Sequence, residues 1–161
     1  MGYSGRILVA RSDRALSELP AVRGVVALEE DMLPGGWRFA KLDGDPGGVL
    51  RALVADTEAP VLTAYVMDSD VADVQALTPG GVAWRAYLHE ETAREYGAPP
   101  APYPLDEVLR RAVAWSVEAG LTSSTVALEK ALTGRNVFVE DTFAELLGAL
   151  GLASAAPGSA R

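Results

Sequence analysis

Asp68-Ser69-Asp70 places two carboxylates two residues apart at the end of an apolar run, 60–67. Open sheets gather ligands at the carboxyl ends of their strands, and two carboxylates delivered there can hold Mg²⁺ while one stays free to act as a nucleophile. Asp73 is the nearest third ligand. Together these residues define one candidate chemistry, a metal-assisted hydrolase or phosphotransferase centred on Asp68 and Asp70. His89 is the one histidine, hence the one candidate for imidazole base work, and it rules out a multi-histidine metal site. The chain has no cysteine, which excludes thiolate nucleophiles, disulfides and Cys-based zinc or iron–sulfur sites.

The D-x-D after an apolar strand resembles, over about five residues, the first motif of haloacid-dehalogenase-like phosphatases. That family's pattern also implies a later lysine and a later acidic pair, roles for which Lys130 and Glu140-Asp141 are the available residues, and a D-x-D on the first strand of a parallel sheet. Helical punctuation gives a second reading of the same stretch, which we carry forward: Asp70 is the N-cap of a helix starting at Val71. Its side chain accepts from the Asp73 N–H, and Asp73 itself sits in the first turn against the positive helix end. Asp68 then only ends the strand.

The remaining motifs are weaker. The segment DGDPGG, 43–48, precedes a helix as phosphate loops do, but matches neither nucleotide fingerprint, and Asp43 and Asp45 would repel an anion. HEETA, 89–93, lacks the second histidine of a zinc protease, so His89 reads as a polar residue at a strand–helix junction. Ser123-Ser124 starts a helix, where serine caps. Trp37, Trp84 and Trp115 read as core anchors. Trp37 and Trp84 become binding candidates only if exposed side by side.

The net charge of −8 is uneven: residues 1–24 carry four cations and two acids, residues 25–100 five cations and thirteen acids. An acidic middle opposes phosphate backbones and anionic membranes, so neither nucleic acid nor membrane is an expected partner. It suits a basic protein, steered by the field. Glu29, Glu30, Asp31, Asp43, Asp45, Glu90, Glu91 and Glu95 are its expected contacts. The N-terminus lacks the pattern of a secretory signal, and no run approaches the ~20 apolar residues that span a bilayer, which predicts a soluble, cytoplasmic protein. The Arg-, Ala-, Gly- and Val-rich usage fits a high-GC bacterial genome.

Element signals predict an α+β protein: a five-stranded, mainly antiparallel sheet with helices on one face, closed by a C-terminal helical segment. Strands are expected over 5–12, 24–31, 37–44, 60–67 and 79–88, with a short capped turn after the first and a helix from Pro46 before the fourth. The first six elements run β-α-β-β-α-β, the order of a ferredoxin-like core. APPAPYP, 98–104, reads as a linker between a sheet-containing part, 1–97, and a helical part, 105–152. Together these make a single domain, with 153–161 a disordered tail. With no complete catalytic constellation, the expected function is a non-catalytic protein-binding module of immunity or regulatory type, with no cofactor. A small-ligand sensor with a pocket between sheet and helices is a further alternative.

Overall fold

The computed structural model describes residues 2–152, so the expected disorder of 153–161 lies outside the described residues. Strand β1 (Gly5–Arg11) leads into two 3₁₀ turns (Leu16–Glu18 and Pro20–Val22), then the hairpin of β2 (Ala27–Leu33) and β3 (Trp37–Leu42). Helix α1 (Val49–Thr57) precedes β4 (Val61–Met67), β5 (Val71–Leu77) and β6 (Ala83–Leu88). Short α2 (Glu90–Glu95) then gives way to α3 (Leu105–Glu118), α4 (Thr125–Thr133) and α5 (Val139–Leu150). The protein is α+β, and every neighbouring pair in its sheet is antiparallel.

The sheet has six strands, in the order β2-β3-β1-β4-β5-β6, one more than expected. The extra strand is β5, where the helix capped by Asp70 was predicted. Val71, Val74 and Leu77 have helical spacing, but Ala72, Val74 and Ala76 share one core while Val71 packs into another on the opposite face, which is strand alternation. Pairing with β4 on one side and β6 on the other satisfies the backbone of this segment throughout, and the strand wins.

Helices cover both faces, not one. Ile7 and Val9 of β1 join Leu62, Ala64, Val66, Val74, Trp84 and Leu88 under α3, α4 and α5. Trp115 of α3 stands 5.9 Å from Trp37, and its indole N–H donates to the Val61 carbonyl at 3.3 Å. Leu8 and Ala10, alternate residues of the same strand, point the other way, into Leu16, Leu19, Val22, Val49 and Leu53 of the 3₁₀ turns and α1. Val139, Phe143, Leu146, Leu147 and Leu150 form one buried stripe along α5. Ser124 caps α4 by accepting from the Ala127 N–H at 3.2 Å, as its position at a helix start implied. Among the described residues no helix is long and apolar enough to cross a membrane.

The two sheet edges are finished differently. The proline-rich stretch 98–104 and the start of α3 run past β6: Ala98 and Ala101 pack with Tyr87, and Arg111 donates to the Ala83 carbonyl at 3.0 Å. The opposite edge, β2, pairs only with β3 among the described residues.

Candidate functional site

Asp68 and Ser69 form the tight turn between β4 and β5. Both take positive φ, 54° and 55°, and the Asp70 N–H donates to the Met67 carbonyl at 3.0 Å. Aspartate is among the few non-glycine residues that tolerate this backbone region. The carboxylates then go separate ways. Asp68 Oδ1 accepts from the Gly2 N–H at 2.8 Å, and Asp70 Oδ2 accepts from the Tyr96 hydroxyl at 2.6 Å. Asp73 forms a two-point ion pair with Arg85 on β6, at 2.9 and 2.6 Å. Among the described residues no group of three or more metal-binding side chains converges.

Ser69 is the inward-facing member of the turn. Its hydroxyl accepts from the Tyr3 N–H at 2.9 Å and donates to Glu140 Oε2 at 2.8 Å, while its carbonyl accepts from the Val139 N–H. His89 extends this network. It lies at the β6–α2 junction, as expected, but buried, with φ 61°. Its Nδ1–H donates to the Asp70 carbonyl at 2.8 Å. Its Nε2 accepts from the Thr142 hydroxyl at 2.7 Å and from the Asn136 N–H at 3.3 Å. A backbone N–H can only donate, so this arrangement assigns the proton to Nδ1. The network ties the N-terminal segment, the β4–β5 turn, β6 and α5 together.

On the face away from α3–α5, strands β4, β5 and β6 extend beyond α1 and leave an open floor. Hollows of about 520 and 240 Å³ meet around Tyr87, between this floor, α2 and residues 98–104, and a smaller one of about 120 Å³ runs from Tyr87 past the β6 edge to Ala86, Val108 and Leu132 on the helical side. Tyr65, Tyr96, Tyr103 and the Asp73–Arg85 pair line them. The two larger hollows lie on the face away from the C-terminal helices, whose side of the sheet is filled by Trp37, Trp84, Trp115 and Phe143. Alternation in β5 and β6 would have brought Asp73, Arg85 and Tyr87 to one face, had β5 been read as a strand.

The tryptophan condition is not met: Trp37 and Trp84 are 1% and 2% exposed, so neither offers its ring to a partner. The acidic residues do not form one surface either. Glu29, Glu30 and Asp31 lie on β2, whereas Glu90, Glu91 and Glu95 lie on α2 beside β6. Five interstrand steps of ~4.8 Å separate those edges. Asp45 is held by Arg6 at 2.7 Å, and Asp43 lies in the loop after β3. Glu30 is committed to the fold: it accepts from the Leu16 N–H at 2.9 Å and from the Ser17 hydroxyl. Glu29 and Asp31 remain exposed on one face of β2, beside Lys41 and Phe39 of β3. Exposed apolar residues accompany them, Val26 at 64%, Leu28 at 56% and Met32 at 64%.

Partial burial, and then the adjacent Asp31 carboxyl, push Glu29 above the usual carboxylate range, while Lys41 pulls it down. An acid raised in the folded state binds its proton more tightly there than in the unfolded chain. Its contribution is therefore fully present below the unfolded value of ~4.3 and is lost as pH rises through the raised one. Glu29→Gln removes that loss, so its melting temperature should gain on wild type as pH rises from the unfolded carboxylate value through the raised one. Parallel thermal melts check this; a difference that shrinks with pH would contradict the assignment.

No protein-family model, curated protein or solved structure matches the chain.

Proposed function

We propose that the protein is a non-catalytic protein-binding module, of regulatory or immunity type, that docks a partner chain along β2. The observation that carries this reading is the asymmetry of the edges. β6 is attended by Arg111 and residues 98–104, while β2 has no backbone hydrogen bond beyond its ladder to β3 among the described residues. A bare edge is a ready template for another chain, and exposed Leu28 and Met32 supply apolar contact beside it. The metal-assisted alternative draws little support, since Asp68, Asp70 and Asp73 each serve a different protein group. In this reading the first four strands, ordered β2-β3-β1-β4 with α1 and the 3₁₀ turns on one face, make a ferredoxin-like unit that β5 and β6 extend. The module works in the cytoplasm, without nucleic acid or membrane, because its acidity opposes both.

A second reading, a small-ligand sensor, rests on the hollows around Tyr87. One experiment separates the two. A photo-crosslinking residue at Leu28, and separately at exposed Tyr96, is activated in cells of the native host. A protein adduct from position 28, lost on Glu29→Lys/Asp31→Lys substitution, is the expected result. Adducts from position 96 alone would move the site to the hollows, and none from either position would overturn the protein-binding reading.

A further inference from the structure

We propose, resting on the protein-binding reading above, that β2 is lengthened sideways by an extended basic segment of the partner, added as a seventh strand over Glu29–Leu33. Three observations lead there. β2 is terminal in the sheet, and no turn, loop or cap bonds to its backbone between 27 and 33 among the described residues. Alternate N–H and C=O groups along it therefore face outward, as strand addition requires. The register breaks between Ala27 and Glu29, and this bulge limits regular pairing to the stretch from Glu29 onward.

Side-chain placement then specifies the occupant. Glu29 and Asp31 pair with Lys41 and Phe39 and share one face, whereas Met32 pairs with Arg38 on the other. An incoming strand meets two carboxylates spaced by two residues on one face and an exposed methionine on the other. The complement is a segment alternating lysine or arginine with apolar residues. A second copy of this chain is the wrong occupant: pairing β2 with itself gathers Glu29 and Asp31 of both copies on one face, and like charges side by side destabilise a sheet. Acidic residues and a bulge commonly guard a bare edge against its own kind. Here the same charges that turn away a second copy attract a basic strand and speed its encounter.

The test uses an acetylated, amidated peptide, Lys-Val-Lys-Val-Lys-Thr, with the full-length protein. Two analogues carry backbone N-methyl groups on the lysines or on the intervening residues. In an added strand one set of N–H groups faces β2 and the other faces solvent. One analogue should therefore bind about 10-fold more weakly or worse, and the other nearly as well as the parent. Amide shifts and slowed hydrogen exchange should centre on residues 29–33, and binding should weaken as salt rises from about 50 to about 300 mM. Equal binding of both analogues would mean charge attraction without strand addition, overturning this inference and leaving the protein-binding reading intact. Absence of parent-peptide binding at about 2 mM, or a β2-to-β2 dimer in sedimentation and crosslinking, would overturn it too. The protein-binding reading fails separately, through the adducts at positions 28 and 96.

Discussion

A fragment ending at Pro104 should fail to fold, giving an insoluble product or a collapsed chain without fixed side-chain packing. It keeps all six strands, yet loses α3, α4 and α5 and with them the cover of one whole sheet face. Ile7, Val9, Leu62, Val66, Val74 and Leu88 are each 1% exposed or less. At ~1.5–3 kcal/mol for each buried aliphatic side chain, wetting these six already costs as much as the ~5–15 kcal/mol that holds a protein of this size together. Trp37 would lose Trp115, and the Val61 carbonyl its indole donor. The truncated chain should bind a hydrophobic dye, lose near-ultraviolet dichroism and give a collapsed amide spectrum. A soluble 1–104 fragment with sharp, dispersed amide signals would show that the sheet stands without its helices.

Much of this architecture is legible in the residues, because single-face burial leaves a plain period. The stripe of α5 and the apolar run of β4 can be read directly, the latter because β4 lies between β1 and β5 with helices on both faces of the sheet. β5 misleads for a physical reason. Its buried face is built from Ala72, Val74 and Ala76, and two alanines under packed helices give a faint alternation. The bulkier Val71, Val74 and Leu77 fall by chance at helical spacing behind a pair of aspartates. Once β5 is taken for a helix, the open floor with Asp73, Arg85 and Tyr87 cannot be seen. The acidic residues mislead differently. Their signs and spacings are in the sequence, but strand order is a long-range property, and only that order separates β2 from α2. The partners of His89 likewise lie 19, 47 and 53 residues away along the chain.

His89→Ala should lower stability by ~3 kcal/mol, a large share of the total, although the residue sits in no cleft. His89 is 4% exposed, and its imidazole bridges the β4–β5 turn, α5 and the segment before α5. Deleting it leaves the Asp70 carbonyl and the Asn136 N–H without their partner, and a buried group so stranded costs ~1–3 kcal/mol. The Thr142 hydroxyl keeps only the Asn136 amide, 2.8 Å away. Backbone strain works in the opposite direction: at φ 61°, glycine would be easier than histidine, yet it leaves the same groups unpaired. His89→Gly should therefore lose nearly as much as His89→Ala, whereas His89→Asn, whose amide tolerates this backbone and reaches toward the Nδ1 position, should recover part of the loss. Urea denaturation of the three variants gives the ranking, and the ¹⁵N shifts of the ring report whether Nδ1 carries the proton. A stable His89→Ala protein, or a ring protonated at Nε2, would break the bridge and return this lone imidazole to the pool of groups free for chemistry.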